Sequence, residues 1–160
     1  MNTEQELHSM LTTCIRMACD NVINGTGGPF AALLIRDGQV IGKGTNRVIS
    51  SHDATAHAEV VAIRDACKNT GSHDLTGAVL ITSCEPCPMC LGAVYWAGIK
   101  EVYFVADRED AAAAGFNDAL IYNEIAKPFD QRIVLFRKIN HPGKTEPFRI
   151  WESTADKTEY

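Results

Sequence analysis

Apolar residues recur at three- and four-residue spacing from about residue 4 to residue 24, at Leu7, Met10, Leu11, Cys14, Met17, Ala18 and Val22, the spacing of one face of a helix. The run Asn-Gly-Thr-Gly-Gly-Pro at 24–29 predicts a break after it. Two strand-like runs, 30–36 and 39–45, flank Asp37-Gly38, a dipeptide that readily supplies the positive φ angles of a tight hairpin. Helical spacing returns over about 56–68 through Val60, Ile63 and Cys67, with Asp53 or Thr55 as the candidate cap and Asn69-Thr70-Gly71 as the stop. A short apolar strand over 78–83 runs into Cys84-Glu85-Pro86-Cys87-Pro88, and Pro88 suits the first position of a helix reaching about residue 97. Beyond it the pattern predicts a strand at 101–105, a small helical turn in 111–114, a helix at 117–126, a strand at 132–136 and a helix from 144 to about 155. Helix and strand alternate after the hairpin, which argues for a layered α/β domain.

No repeat or linker divides the 160 residues, so one domain over 1–160 is expected, large enough to bury roughly 70% of its unfolded surface without a structural metal. Apolar residues make up 46% and charged residues 22%, and no apolar run nears the ~18 residues of a membrane span. No membrane partner is therefore expected. Residues 1–10 lack the basic start and apolar stretch of a secretory signal, which makes the cytoplasm the expected location. The net charge is -5 and the basic residues are scattered, a balance that disfavours nucleic acid as a partner.

Six cysteines could form disulfides, but Cys84, Cys87 and Cys90 crowd too tightly for a stapling framework, so metal binding or redox work explains them better. Cys14, Cys19 and Cys67 are expected to be buried small apolar groups. His57 lies at one predicted helix start and Cys87-x-x-Cys90 at the next. Imidazole and thiolate together suit zinc, and three protein ligands leave a fourth position for water, the arrangement of a catalytic rather than a structural ion. A helix N-terminus lowers the pKa of thiols placed there, so both cysteines are expected to bind as thiolates. Glu59 sits two residues from His57 and is the candidate general acid/base. Taken alone, Cys-x-x-Cys also fits redox chemistry or a closed four-ligand site completed by Cys84, in which case the chain would be a zinc-stabilised binding module without catalysis.

His57-Ala58-Glu59 with Pro86-Cys87-Pro88-Met89-Cys90 is the paired motif of zinc nucleobase deaminases. TAHAEVVAIRDAC and TSCEPCPMCLGAVYWA resemble the cytidine and deoxycytidylate deaminase superfamily; GGPFAALLIRDG, GFNDALIYNEI and the terminal WESTADKTEY resemble its bacterial guanine deaminases. The resemblance implies a three-layer α/β/α fold around a five-stranded mixed sheet. It also implies a homodimer whose C-terminal segment, about 140–160, is exchanged between subunits. Carried over by motif, His57, Cys87 and Cys90 ligate one Zn²⁺ per subunit and Glu59 shuttles protons. Asn46 hydrogen-bonds a purine base, and Phe30, Ala58, Trp96 and Tyr160 complete the substrate pocket. Asp118 reads or protonates the substrate.

Asp118 carries a physical reason for guanine. An ionised carboxylate accepts hydrogen bonds, and guanine presents N1-H and a 2-amino group as adjacent donors, whereas adenine and cytosine place a ring-nitrogen acceptor beside their amino group. The bland reading of Asp118 is a solvated helix cap. The expected reaction is hydrolytic: metal-activated water attacks C2 of guanine, Glu59 relays the proton, and Glu59 or Asp118 protonates the departing amine to leave xanthine and ammonia. Rival substrates are guanosine, a cytosine derivative, an amino-triazine or a tRNA adenosine.

Overall fold

The computed structural model of the chain describes residues 4–158, in two compact units divided between Ala119 and Leu120. The N-terminal unit holds helix α1 (Glu4–Ile23), strands β1 (Ala31–Arg36) and β2 (Gln39–Thr45), a short helix α2 (Val48–Ser51), helix α3 (Ala58–Thr70), strand β3 (Val79–Cys84), helix α4 (Pro88–Trp96), strand β4 (Glu101–Ala106) and helix α5 (Arg108–Ala113). The sheet order is β2-β1-β3-β4. β1 runs antiparallel to both β2 and β3, and β3 runs parallel to β4, so the sheet is mixed. Asp37 and Gly38 turn the hairpin with φ of 52° and 75°, the paired positive values of a type I′ turn.

Strand alternation sorts the core into two layers. Ala31, Leu33 and Ile35 of β1 and Ile81 of β3 face Cys14 and Ala18 of α1. Ala32, Leu34 and Leu80 face the other way, onto Ala58, Ala62, Ile63 and Ala66 of α3 and Val94 of α4. The N-terminal unit is thus an α/β/α sandwich, with α1 on one face and α3 and α4 on the other. Cys14 is buried as expected, whereas Cys67 is half-buried and Cys19 is exposed, because the latter sits on the solvent side of α1.

α3 approaches β2 most closely at Gly42 and Gly44. A Cβ placed on Gly44 would lie 2.3 Å from the Ala58 carbonyl oxygen and 2.5 Å from the Ala62 nitrogen, and one on Gly42 would lie 2.5 Å from the Ala62 carbonyl oxygen. These backbone atoms cannot swing aside as a flexible side chain would. Gly44→Ala is expected to push the start of α3 off the sheet and lower stability by about 1–3 kcal/mol, the usual cost of overpacking. Thermal unfolding checks this; an unchanged midpoint would contradict the close contact.

The C-terminal unit contains most of helix α6 (Ala119–Ala126), a 3₁₀ turn (Phe129–Gln131) and helix α7 (Glu146–Ser153). The rings of Phe129 and Phe136 stack 5.1 Å apart, and the Arg132 guanidinium lies over both. The expected strand at 132–136 does not form, and the sheet among the described residues has four strands rather than five. The segment is tied locally to the end of α6 instead. Arg132 donates to the carbonyls of Ile125 and Lys127, and the Ile133 N–H is taken by the Glu124 carboxylate. Ile133, Val134 and Leu135 are left 72%, 66% and 68% exposed.

Candidate metal centre and active site

The two motif halves occupy equivalent places in the fold. His57 is the residue before the first turn of α3 and Cys87 the one before the first turn of α4; both have extended backbone (φ/ψ of -68°/156° and -65°/167°). Their carbonyls accept the first helical bonds, from Val61 and Leu91. Neither side chain caps its own helix. Each is therefore turned outward for another partner, while Pro88 occupies the start of α4, where a missing N–H costs nothing. The predicted caps Asp53 and Thr55 are not the cap of α3: Asp53 instead accepts from the Thr55 N–H and hydroxyl, closing a turn before the helix.

Three donor atoms converge. Cys87 Sγ lies 3.5 Å from His57 Nδ1 and 3.5 Å from Cys90 Sγ, and Cys90 Sγ lies 3.6 Å from His57 Nδ1. Tetrahedral zinc, with bonds of about 2.3 Å to sulfur and about 2.0 Å to nitrogen, separates its donors by roughly 3.5–3.8 Å, so the triangle fits that ion. The electrostatics point the same way. The Cys90 thiol donates to Cys87, which with His57 holds the Cys87 thiol well below its usual range, to about 4, while the same bond, then burial, push Cys90 up. His57 is raised, chiefly by its bond to Cys87. A divalent cation is what stabilises two thiolates this close. His57, Cys87 and Cys90 form the cluster positioned to hold zinc among the described residues. Cys84 does not complete a closed site; its thiol is directed to the Asp107 carbonyl oxygen at 3.6 Å.

Glu59 lies in the first turn of α3, 6% exposed, with Oε2 3.4 Å from Cys90 Sγ. Burial pushes its carboxyl up to about 7, the range in which a group both takes and gives a proton near neutrality.

A cavity of about 470 Å³ opens over this cluster, within the 300–1,000 Å³ typical of small-molecule sites. His57, Glu59 and Cys87 line it, together with Phe30, Asn46 and Asp118. Asn46 follows β2 and is buried; its Oδ1 accepts from the N–H groups of Gly28 and Val48 at 3.4 Å each, which leaves its amide NH₂ as the donor for a ligand. Asn21 of α1 donates to the carbonyls of Gly28 and Asn46 and so ties these cavity walls together. Asp118 is half-buried, and burial, then the Cys87 charge, raise its carboxyl.

Other expected positions fall elsewhere. Ala58 is wholly buried in the core, and Trp96 ends α4 with 71% exposure; neither lines the cavity. Tyr160 lies outside the described residues. The cavity is also lined by residues that no sequence motif marks, among them Val48 and Ile49 on α2, Glu85, and Phe116, whose ring meets that of Phe30 edge-on at 4.8 Å. α2 is four residues long, too short for any periodicity to reveal it.

Comparison with known proteins agrees with this geometry. Guanine deaminase of Bacillus subtilis (strain 168) is 48% identical over 152 residues, 95% of this chain and 97% of that protein. The crystal structure of the Bacillus subtilis guanine deaminase superimposes with a TM-score of 0.94, covering 100% of this chain and 99% of the other. A guanine deaminase from Nitrosomonas europaea is 35% identical with a TM-score of 0.64, over 68% of this chain and 63% of that one. A tRNA-specific adenosine deaminase of Buchnera aphidicola matches at 37% over 59% of this chain and 63% of that protein. The pattern of the cytidine and deoxycytidylate deaminase zinc-binding region spans residues 4–106, from α1 through β4 and across all three metal donors, and by that match this chain belongs to the cytidine and deoxycytidylate deaminase zinc-binding family.

Proposed function

We propose that the chain hydrolyses guanine to xanthine and ammonia. The observation that carries the choice of guanine is the Asp118 carboxylate, which lines the same cavity as the metal donors and Glu59. It accepts from guanine N1-H and the 2-amino group, the two adjacent donors that adenine and cytosine lack in that arrangement. Asn46 offers the complementary donor from the end of β2, and the rings of Phe30 and Phe116 flank the base.

Zinc held by His57, Cys87 and Cys90 supplies the Lewis acidity that makes water a nucleophile near neutral pH. Glu59 takes the proton from that water and passes it to a ring nitrogen of guanine. Its burial matters, because a carboxylate kept from bulk water changes its charge only when the proton has somewhere to go. The second proton comes from the new C2 hydroxyl and is passed by Glu59 or by Asp118 to the exocyclic amine, so that the C–N bond breaks, ammonia leaves and the C2 carbonyl forms. Reaction in ¹⁸O-water tests this: the expected product is xanthine carrying one heavy oxygen, with ammonia in equal amount. Unchanged guanine would overturn the reading.

A homodimer with exchanged C-terminal segments completes the proposal. The C-terminal unit exposes Ile133, Val134, Leu135 and Ile139, the last at 77%, more apolar surface than a solitary chain usually leaves in water. β4 is an edge strand, with Phe104 and Val105 half exposed along it. Light scattering is expected to give twice the mass of one chain; a monomer at working concentration would contradict the exchange. No helix among the described residues is long and apolar enough to cross a membrane. Six free cysteines fit action in the reducing cytoplasm.

A further inference from the structure

We propose that Arg108 is a positioning residue for substrate selection, acting through Glu85 on the segment that carries Asp118; this rests on the reading of Asp118 given above. Asp118 itself belongs to no helix or strand. It follows Ala114 to Asn117, which hang from the end of α5: Gly115, at φ +93°, donates to the Ala112 carbonyl, and Phe116 donates to that of Ala111. Where Asp118 stands thus depends on where α5 stands. α5 has six residues and buries none of them, so beyond the edge-on contact of Phe116 with Phe30 it needs a further hold.

Its anchor is at its first residue. The Arg108 N–H and Nε both donate to Glu85 Oε2, at 3.2 and 3.1 Å, and the guanidinium also bonds Glu85 Oε1. This fork closes on a carboxylate whose side chain is 19% exposed, lies two residues before the metal donor Cys87 and lines the same cavity as Asp118. Glu85 is in turn held by its own N–H to the Ala106 carbonyl at 2.9 Å. A bidentate Arg–carboxylate pair fixes direction as well as distance, unlike a simple ion pair. The fork therefore sets the segment bearing the substrate-reading carboxylate at a fixed station relative to the loop bearing the metal. It also neutralises Glu85, one of the two other acidic groups that line the cavity with Asp118.

The test is a double-mutant cycle on the zinc-loaded enzyme, with guanine as substrate: wild type, Arg108→Met, Asp118→Asn and the pair. Arg108→Met is expected to raise KM about tenfold with kcat within about twofold and zinc content unchanged. Asp118→Asn is expected to lower kcat/KM by well over a hundredfold, and adding Arg108→Met to it is expected to change little further. Arg108→Lys, which restores charge but not the fork, should give a KM between wild type and Arg108→Met, and it serves in the cycle if the Met variant folds poorly. Unchanged KM in Arg108→Met, or losses that multiply in the double variant, would overturn the role of Arg108 and leave Asp118 standing. Wild-type kcat/KM in Asp118→Asn would overturn both.

Discussion

Glu59→Gln is expected to abolish turnover while the protein keeps its fold and its zinc. Glutamine matches glutamate in size, so the 6%-exposed site beneath the cavity is filled as before and α3 keeps its seat on β2. The carboxylate is 3.4 Å from Cys90 Sγ and is not itself one of the three converging donors. What glutamine lacks is a proton that can be taken and returned. A positioned acid/base contributes typically 10²–10⁴-fold, and a relay that acts at two stages of one reaction loses at least that when removed. Steady-state ammonia release and metal analysis on the same preparation check both halves; near-normal activity would remove Glu59 from its role.

Cys87→Ala is expected to lose the metal, and activity with it, from a chain that still folds. Two donors, His57 and Cys90, would remain of the triangle, and a catalytic site that already keeps one position open does not hold zinc firmly on two. Cys87 lies outside both core clusters, and the layers that bury Leu34, Leu80 and Ile81 do not depend on it. Circular dichroism is expected to match wild type while bound zinc falls far below one per chain. Full zinc retention would contradict the assignment of Cys87 as a ligand.

The residues whose structure was legible in the sequence are those whose neighbours determine it. Asp37-Gly38 dictates a hairpin locally, the alternation of Ala31 to Ile35 sends side chains to opposite layers, and Pro88 marks the start of α4. His-x-Glu and Cys-x-x-Cys were legible for the same reason, since helix starts fix where their side chains point. The strand at 132–136 shows the limit of periodicity. Ile133 to Phe136 have strand composition, but a strand is defined by its partner, and here the Ile133 N–H goes to the Glu124 carboxylate while the Arg132 side chain ties the segment to the Ile125 and Lys127 carbonyls. Capping preference puts His57 inside the helix, because Asp53 and Thr55 are better capping types; its place as the residue before α3 follows from the Asp53–Thr55 turn, a contact within the loop. The position of Asp118 depends on the Arg108–Glu85 fork, which joins residues 23 apart and leaves no local signal.

The most direct test of the account is ammonia release by the zinc-loaded protein from guanine, guanosine, adenine and cytosine under identical conditions. Release from guanine, with adenine and cytosine left untouched, is the expected result, since only guanine among these free bases offers two adjacent donors to Asp118. Release from adenine or cytosine with guanine untouched would contradict the account at its centre, leaving the metal donors and Glu59 in place but removing the carboxylate at 118 as the group that selects the substrate.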